Sequence, residues 1–265
     1  MEGAVIALLC RTSDRDARGA QGAEALAHEL ARRIGTEARM IGSPGEPKDG
    51  HWEDDLRESH GCLLEAGGQV EDAMTGGRYP VLTSCDCSIC LTTLPTLARQ
   101  RPDAWVLWLD AHGDFNSPET TPSGFLGGMC LAGACGVWDS GLGSGLDPGR
   151  VVMCGVRDVD PGERVLLDTR GVGLVESPAQ LTDMLDGRPV FVHLDLDVLD
   201  PTVLPALFPA PGGLSDGGLR TLLAELSEAV DLVGAEITGF LAPERARRVA
   251  TIVEPLLPPP TPAPA

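Results

Sequence analysis

Residues 104–114 read Ala-Trp-Val-Leu-Trp-Leu-Asp-Ala-His-Gly-Asp, an unbroken apolar run that stops on Asp110, His112 and Asp114. An apolar run without alternation marks a strand covered on both faces, so helices must lie above and below the sheet that holds it. Residues 190–200, Val-Phe-Val-His-Leu-Asp-Leu-Asp-Val-Leu-Asp, repeat the pattern and end on Asp195 and Asp197. Working outward, similar short runs mark strands near 4–9, 37–41, 80–84, 151–156, 172–175 and 232–237. Between the first two, Ala23, Leu26, Ala27, Leu30, Ala31 and Ile34 recur at helical spacing, and helices are expected near 53–75, 88–100, 178–186 and 216–230. Strands alternating with helices make an α/β fold on a mainly parallel sheet.

The 265 residues carry 20 Lys plus Arg against 39 Asp plus Glu, a formal charge of −19. Lys48 is the only lysine, and no basic stripe exists to neutralise phosphates, which argues against nucleic acid as a partner. The acidic balance favours a cationic ligand or a metal ion. No apolar run is long enough for a membrane helix, and the opening Met-Glu-Gly-Ala-Val-Ile-Ala-Leu-Leu-Cys reads as a first strand and not a signal peptide. Eight cysteines are too sparse for a disulfide scaffold, which points to a reducing cytoplasm. Residues 1–254 are expected to form one domain, and the proline-rich 255–265 a disordered tail.

The chemically distinctive residues sit just past the carboxyl ends of expected strands, where open parallel sheets bind ligands. Cys87 follows the third strand, Asp110, His112 and Asp114 the fourth, Arg157, Asp158 and Asp160 the fifth, Asp195 and Asp197 the seventh. Spacing of two places each set on one face of extended chain. So many carboxylates at one edge repel one another unless a cation holds them, and carboxylate oxygens with an imidazole suit Mn²⁺, Mg²⁺ or Fe²⁺. The donors suffice for two ions. A zinc or iron–sulfur site on Cys85, Cys87 and Cys90 lacks a fourth soft ligand. His193 shares the face of Asp195 but lies deeper, which favours a structural role.

Asp110-Ala-His112-Gly-Asp114 resembles the DAHxD motif of the ureohydrolase superfamily, which includes arginase, agmatinase and formimidoylglutamase. His193-Leu-Asp195-Leu-Asp197-Val-Leu-Asp200-Pro201 is similar to its DxDxxDP motif, and Gly155-Val-Arg157-Asp158-Val-Asp160-Pro-Gly-Glu163 to the segment before it. The resemblance implies a three-layer αβα sandwich around an eight-stranded sheet. It also implies two Mn²⁺ ions with a bridging hydroxide that attacks a guanidinium carbon. Carried over by position, one ion would take Cys87, Asp110, Asp114 and Asp195, the other Asp110, His112, Asp195 and Asp197. Asn116, Ser123 and Asp160 match positions that hold the amino-acid end of the substrate. Family analogy adds a homo-oligomer.

Three positions depart from the pattern. Cys87 stands in place of a metal-binding histidine, Gly127 in place of a proton-relaying histidine, and Gly239 in place of a glutamate that pairs with the guanidinium. An N-hydroxyl group lowers guanidine basicity and its bulk fits a pocket opened by glycine, so these losses together resemble the branch of the family that converts Nω-hydroxy-L-arginine to hydroxyurea and ornithine for D-cycloserine biosynthesis. Two other readings stay open: a ureohydrolase for another guanidino acid, and a catalytically impaired metal-binding member.

Overall fold

The structure is a computed structural model that describes residues 1–175 and 178–260. Eight strands, all parallel, form one sheet in the order β2-β1-β3-β8-β7-β4-β5-β6. They are β1 (Gly3–Leu8), β2 (Ala38–Ile41), β3 (Tyr79–Ser84), β4 (Trp105–Leu109), β5 (Val151–Cys154), β6 (Gly173–Val175), β7 (Pro189–Asp195) and β8 (Asp231–Thr238). Each lies within a few residues of its expected run; an inner strand buried on both faces leaves an apolar signature that needs no register to be read, whereas the edge strands β2 and β6 are largely half-buried or exposed. β1, β3 and β4 are buried along nearly their whole length.

Helices cover both faces. Helix α1 (Arg18–Ile34) buries Ala23, Leu26, Ala27, Leu30, Ala31 and Ile34, and ends at Gly35, whose φ of 72° closes the last turn as only glycine does without strain. It shares one core with α6 (Pro178–Leu185), α7 (Asp216–Ala229) and α8 (Ala246–Ile252). The other core lies under α2 (Trp52–Thr75), α3 (Cys90–Gln100), α4 (Cys130–Ala134) and α5 (Pro161–Arg170). The result is the three-layer αβα sandwich expected.

Two expectations change. The tail does not begin at Pro255: Glu254–Leu256 form a 3-10 turn with Leu256 and Pro258 buried, because the apolar pair Leu256–Leu257 packs against α7 and the α1 core. Residues 261–265 of the expected tail lie outside the described residues. Cys10 and Cys62 form a disulfide that ties the end of β1 to α2 across 52 residues. With that bond present, the cysteine content no longer argues for a reducing compartment. Among the described residues no helix is long and apolar enough to cross a membrane.

Candidate metal and substrate site

Four adjacent strands, β3, β8, β7 and β4, end at one cavity. Register stacks their polar residues in two layers. In the lower layer, β4 sets Trp108 beside His193 of β7, and β7 sets His193 beside Glu236 of β8. The His193 ring stacks on Trp108 at 3.5 Å, His193 Nδ1 lies 2.8 Å from Glu236 Oε1, and Thr93 Oγ1 donates to Glu236 Oε2 at 2.6 Å. All four residues are fully buried, so this layer is a closed floor. One pleat higher, Asp195 pairs in register with Thr238, and Asp110 follows β4 at the same level.

The upper layer holds the expected ligand residues. His112 Nδ1 lies 3.0 Å from Asp197 Oδ2 and 3.4 Å from Asp110 Oδ1. Backbone amides fix the carboxylates: His112 N donates to Asp110 Oδ1 at 2.7 Å, Ala111 N to Asp197 Oδ1 at 3.1 Å, and Asp197 N to Asp195 Oδ1 at 2.8 Å. Cys87 Sγ donates to Asp195 Oδ2 at 3.0 Å, and Thr238 Oγ1 donates to the same oxygen at 3.0 Å. Asp114 is the only described residue other than glycine at positive φ, 48°, and the amides opening α4, Leu131 N among them at 3.1 Å, hold its carbonyl. Such a conformation persists only where the surroundings enforce it.

The electrostatics are those of buried acids crowded around the His112 imidazole. Burial, then mutual repulsion, pushes the Asp110 carboxyl well above the usual range, and burial does the same for Asp114. Asp195 is pushed up to about 6 by burial and the Asp197 charge. Burial also raises the Cys87 thiol, reinforced by Asp195, Asp114 and Asp110. His112 goes the other way: burial drags its pKa down, but its bonds to Asp110 and Asp197 outweigh that and carry it to about 12. Asp197 is correspondingly held below the ordinary value against its own burial.

A divalent cation fits this donor set. Ligand atoms of Asp110, His112 and Asp197 lie within 4.8 Å of one another, as do those of Cys87, Asp110 and His193, and Asp110 is common to both groups. His193 offers its ring from the floor, and its Nε2 has no hydrogen-bond partner among the described residues. The three clustered cysteines diverge: Cys85 Sγ donates to Asp14 Oδ1 at 2.5 Å, Cys87 faces Asp195, and Cys90 is buried in the core under α3. The Asp14–Cys85–Asp86 group, closed on itself by Thr12 and Ser13, lines the same cavity. Asp14 had no signal in sequence, because it lies in the loop after β1, far along the chain from Cys85.

The expected substrate residues gather at the cavity mouth. Asn116 Nδ2 donates to Asp160 Oδ2 at 3.0 Å, and Ser123 Oγ accepts from Phe125 N at 3.2 Å. Asp160 also caps α5, with its own amide donating to Glu163 Oε2 at 3.1 Å. Glu163, which also accepts from Phe115 N at 2.7 Å, is a buried member of the wall that sequence reading passed over, although Asp160-Pro-Gly-Glu163 is a capping signal. Arg15, Phe125 and Phe208 complete the mouth of a cavity of about 240 Å³.

The two glycine departures are tighter than an opened pocket would be. A Cβ on Gly127 would come within 2.5 Å of Phe125 Cε1, so that phenylalanine fills the place of the missing histidine. Gly239 has a φ of 70°, and a Cβ there would overlap Asp195 Oδ1. The expectation that Gly239 opens room for substrate bulk is therefore corrected, since Asp195 occupies that room.

Comparison with known proteins follows the same line. The arginase family model matches residues 50–252. The chain belongs to the arginase family. It is 39% identical over 250 residues to an N(omega)-hydroxy-L-arginine amidinohydrolase of Streptomyces lavendulae, an alignment covering 92% of this chain and 91% of that one. It is 33% identical to the arginase of Bacillus caldovelox over 63% of this chain and 62% of that protein. Among solved structures, arginase from Bacillus subtilis superposes with a TM-score of 0.83 at 25% identity, covering 97% of this chain and 98% of the other. As a family member, the chain is a hydrolase of amidine C–N bonds acting on a small guanidino compound.

Proposed function

We propose that this arginase-family chain is a binuclear manganese amidinohydrolase that cleaves Nω-hydroxy-L-arginine to hydroxyurea and ornithine. The observation that carries the substrate is at Gly239, where the family pattern has a carboxylate for the guanidinium and this chain has Asp195 packed against bare backbone. A fully cationic guanidinium would lose a charge-assisted partner there, whereas the less basic hydroxyguanidine needs one less. The similarity to the Streptomyces lavendulae enzyme along nearly the whole chain supports the same substrate. A biosynthetic use of the hydroxyurea, of the D-cycloserine kind, is part of this reading through the departures at Cys87, Gly127 and Gly239.

In this reading Cys87, Asp110, Asp114 and Asp195 would hold one ion, and Asp110, His112, Asp195 and Asp197 the other. When bound, two such ions supply Lewis acidity and a nucleophilic hydroxide at neutral pH. The protein's own work is positional. The backbone amides of Ala111, His112 and Asp197 lock the carboxylates before substrate arrives. Asn116, Ser123 and Asp160 hold the amino-acid end, so that the guanidino carbon is presented to the floor of the cavity. Asp114 is held in place through its carbonyl, which accepts from Leu131 N at 3.1 Å.

The test is a panel of guanidino compounds with Mn²⁺-loaded protein. Hydroxyurea and ornithine are expected from Nω-hydroxy-L-arginine, at a kcat/KM at least about a hundredfold above that for urea from L-arginine. Equal rates on the two, or no turnover of either, would overturn the assignment.

A further inference from the structure

The loop between β1 and α1 brings to the cavity a carboxylate that lies outside both expected ligand sets, Asp14. Asp14 is 6% exposed, and its two oxygens differ. Oδ1 accepts from Cys85 Sγ at 2.5 Å and from Thr12 N at 3.4 Å. Oδ2 accepts from no donor among the described residues, and it is not one of the sealed polar atoms, so it opens on the cavity that Asp14 lines. The neighbouring Asp86 is fully met: Ser88 N and Oγ donate to its Oδ1, and Thr12 Oγ1, Ser13 N and Ser13 Oγ to its Oδ2. The backbone is pinned as well. Lys48 N donates to the Asp14 carbonyl at 3.2 Å, and Arg11, three residues earlier, pairs with the buried Asp55 at 2.5 Å. A carboxylate fixed at one oxygen and unmet at the other is set in advance for a donor that the ligand brings.

Position decides which donor. The strands run β1-β3-β8-β7-β4, and the expected metal ligands follow β3, β7 and β4, so Asp14, after β1, stands beyond the Cys87 side of the ions. Cys85 joins it to Gly239, where the family pattern has its guanidinium carboxylate: Gly239 N donates to Cys85 O at 3.3 Å, and Cys85 Sγ reaches Asp14. The chain thus keeps a carboxylate on this side of the cavity but sets it back by one residue. The set-back suits a group one atom longer than a guanidinium. An N-hydroxyl extends the guanidino group by one oxygen and ends on a donor.

We propose that Asp14 Oδ2 accepts the hydrogen bond of the substrate's N-hydroxyl and so selects hydroxylated guanidines over plain ones, with Cys85 holding the carboxylate in place. The proposal rests on the hydroxyarginine reading and gives it an attractive contact, where Gly239 supplies only the loss of one. A site built to bond a hydroxyl discriminates strongly against the analogue that lacks it, because the acceptor is then left unpaired.

The experiment compares wild type with Asp14→Ala and with Asp14→Asn, which keeps the shape but offers a neutral oxygen. Assays with Mn²⁺-loaded protein run above the pH of about 7 to which burial and the Asp86 charge carry Asp14, so that the carboxylate form is present. The ratio of kcat/KM for Nω-hydroxy-L-arginine to that for L-arginine should fall about thirtyfold in Asp14→Ala and about fivefold in Asp14→Asn, with metal content and Tm close to wild type. If Asp14→Ala fails to fold, Asp14→Asn carries the test. Calorimetric binding of hydroxyurea and of urea to the same proteins gives a readout independent of turnover. Wild type should prefer hydroxyurea, and Asp14→Ala should lose that preference. If wild type releases no hydroxyurea from hydroxyarginine yet shows the binding preference and loses it with the side chain, the reaction assignment fails and the hydroxyl contact stands. If the preference is absent from wild type or survives both substitutions, or if turnover of the two substrates falls in step, the contact is refuted.

Discussion

Gly239 shows how one missing side chain can be a constraint and not a vacancy. Its φ of 70° and the carboxylate of Asp195 packed onto it leave no volume for the glutamate that the family pattern places there. Gly239→Glu is therefore expected to displace Asp195, not to create an arginase. Strain at positive φ adds on the order of 1 kcal/mol, and the overlap adds more. Metal content of the purified variant should fall by at least half, with activity on hydroxyarginine and arginine alike lost at least about a hundredfold. Metal analysis with a two-substrate assay checks this, and a gain in arginine turnover would count against it. Which ligand types would gather was legible from the i, i+2 spacing of Asp110, His112 and Asp114. The steric meaning of Gly239 was not, because it depends on a contact with β7 across 44 residues of chain.

At the scale of elements, the segment after β7 carries both Asp197 and Phe208, and Arg157 ties it to β5, alongside the Asp200 and Arg245 side chains that also bond its backbone. Arg157, from the loop after β5, donates to the carbonyl oxygens of Gly155, Asp197, Val198, Leu199 and Ala210. Removing it strands several carbonyls, each costing about 1 kcal/mol or more. Arg157→Ala should lower Tm by roughly 5–10 °C and weaken metal binding about tenfold, measured by scanning calorimetry and metal titration. In the sequence Arg157 reads as part of a motif with no stated task, since its partners are backbone atoms that composition cannot reveal. The strands were legible for the opposite reason, as Val106 to Leu109 need only be apolar to declare themselves. Helices α4 and α8 leave little signal in the sequence because they are short, and the start of α5 at Asp160-Pro-Gly-Glu163 overlaps a segment that also carries an expected substrate contact.

For the whole molecule, the acid cluster dictates how stability responds to pH. In metal-free protein, burial carries Asp14 up to about 7, with the nearby Asp86 charge adding, and Asp195 up to about 6. Each keeps a proton in the folded state that it surrenders on unfolding, where carboxyls titrate near 4. The stability they lend is complete below that value and is lost as pH rises through about 4 to 7. His112, carried from 6.5 to about 12, lends stability that is complete below about 6.5 and is lost as pH rises from there toward 12, so it adds to the fall at the upper end of this range. The Tm of metal-free protein should therefore drop between pH 5 and pH 8 by roughly 5–10 °C, and added Mn²⁺ should flatten the slope. The Cys10–Cys62 bond acts on the same scale. Closing a loop of 52 residues stabilises by about 4 kcal/mol in the chain-entropy account, so mild reduction should lower Tm by roughly 8–16 °C, read with and without a thiol reductant.

The buried floor of Trp108, His193 and Glu236 has a kinetic corollary. With that end sealed, what is made on the floor must leave past the residues that line the cavity above it. On the proposed reaction the hydroxyurea fragment is made at the blind end and ornithine sits between it and the exit. Ornithine has to go first. Turnover is then an ordered release, with hydroxyurea the last product on the enzyme and the one that competes directly with fresh substrate. The waste amino acid clears early, and the small product paces the cycle as it accumulates.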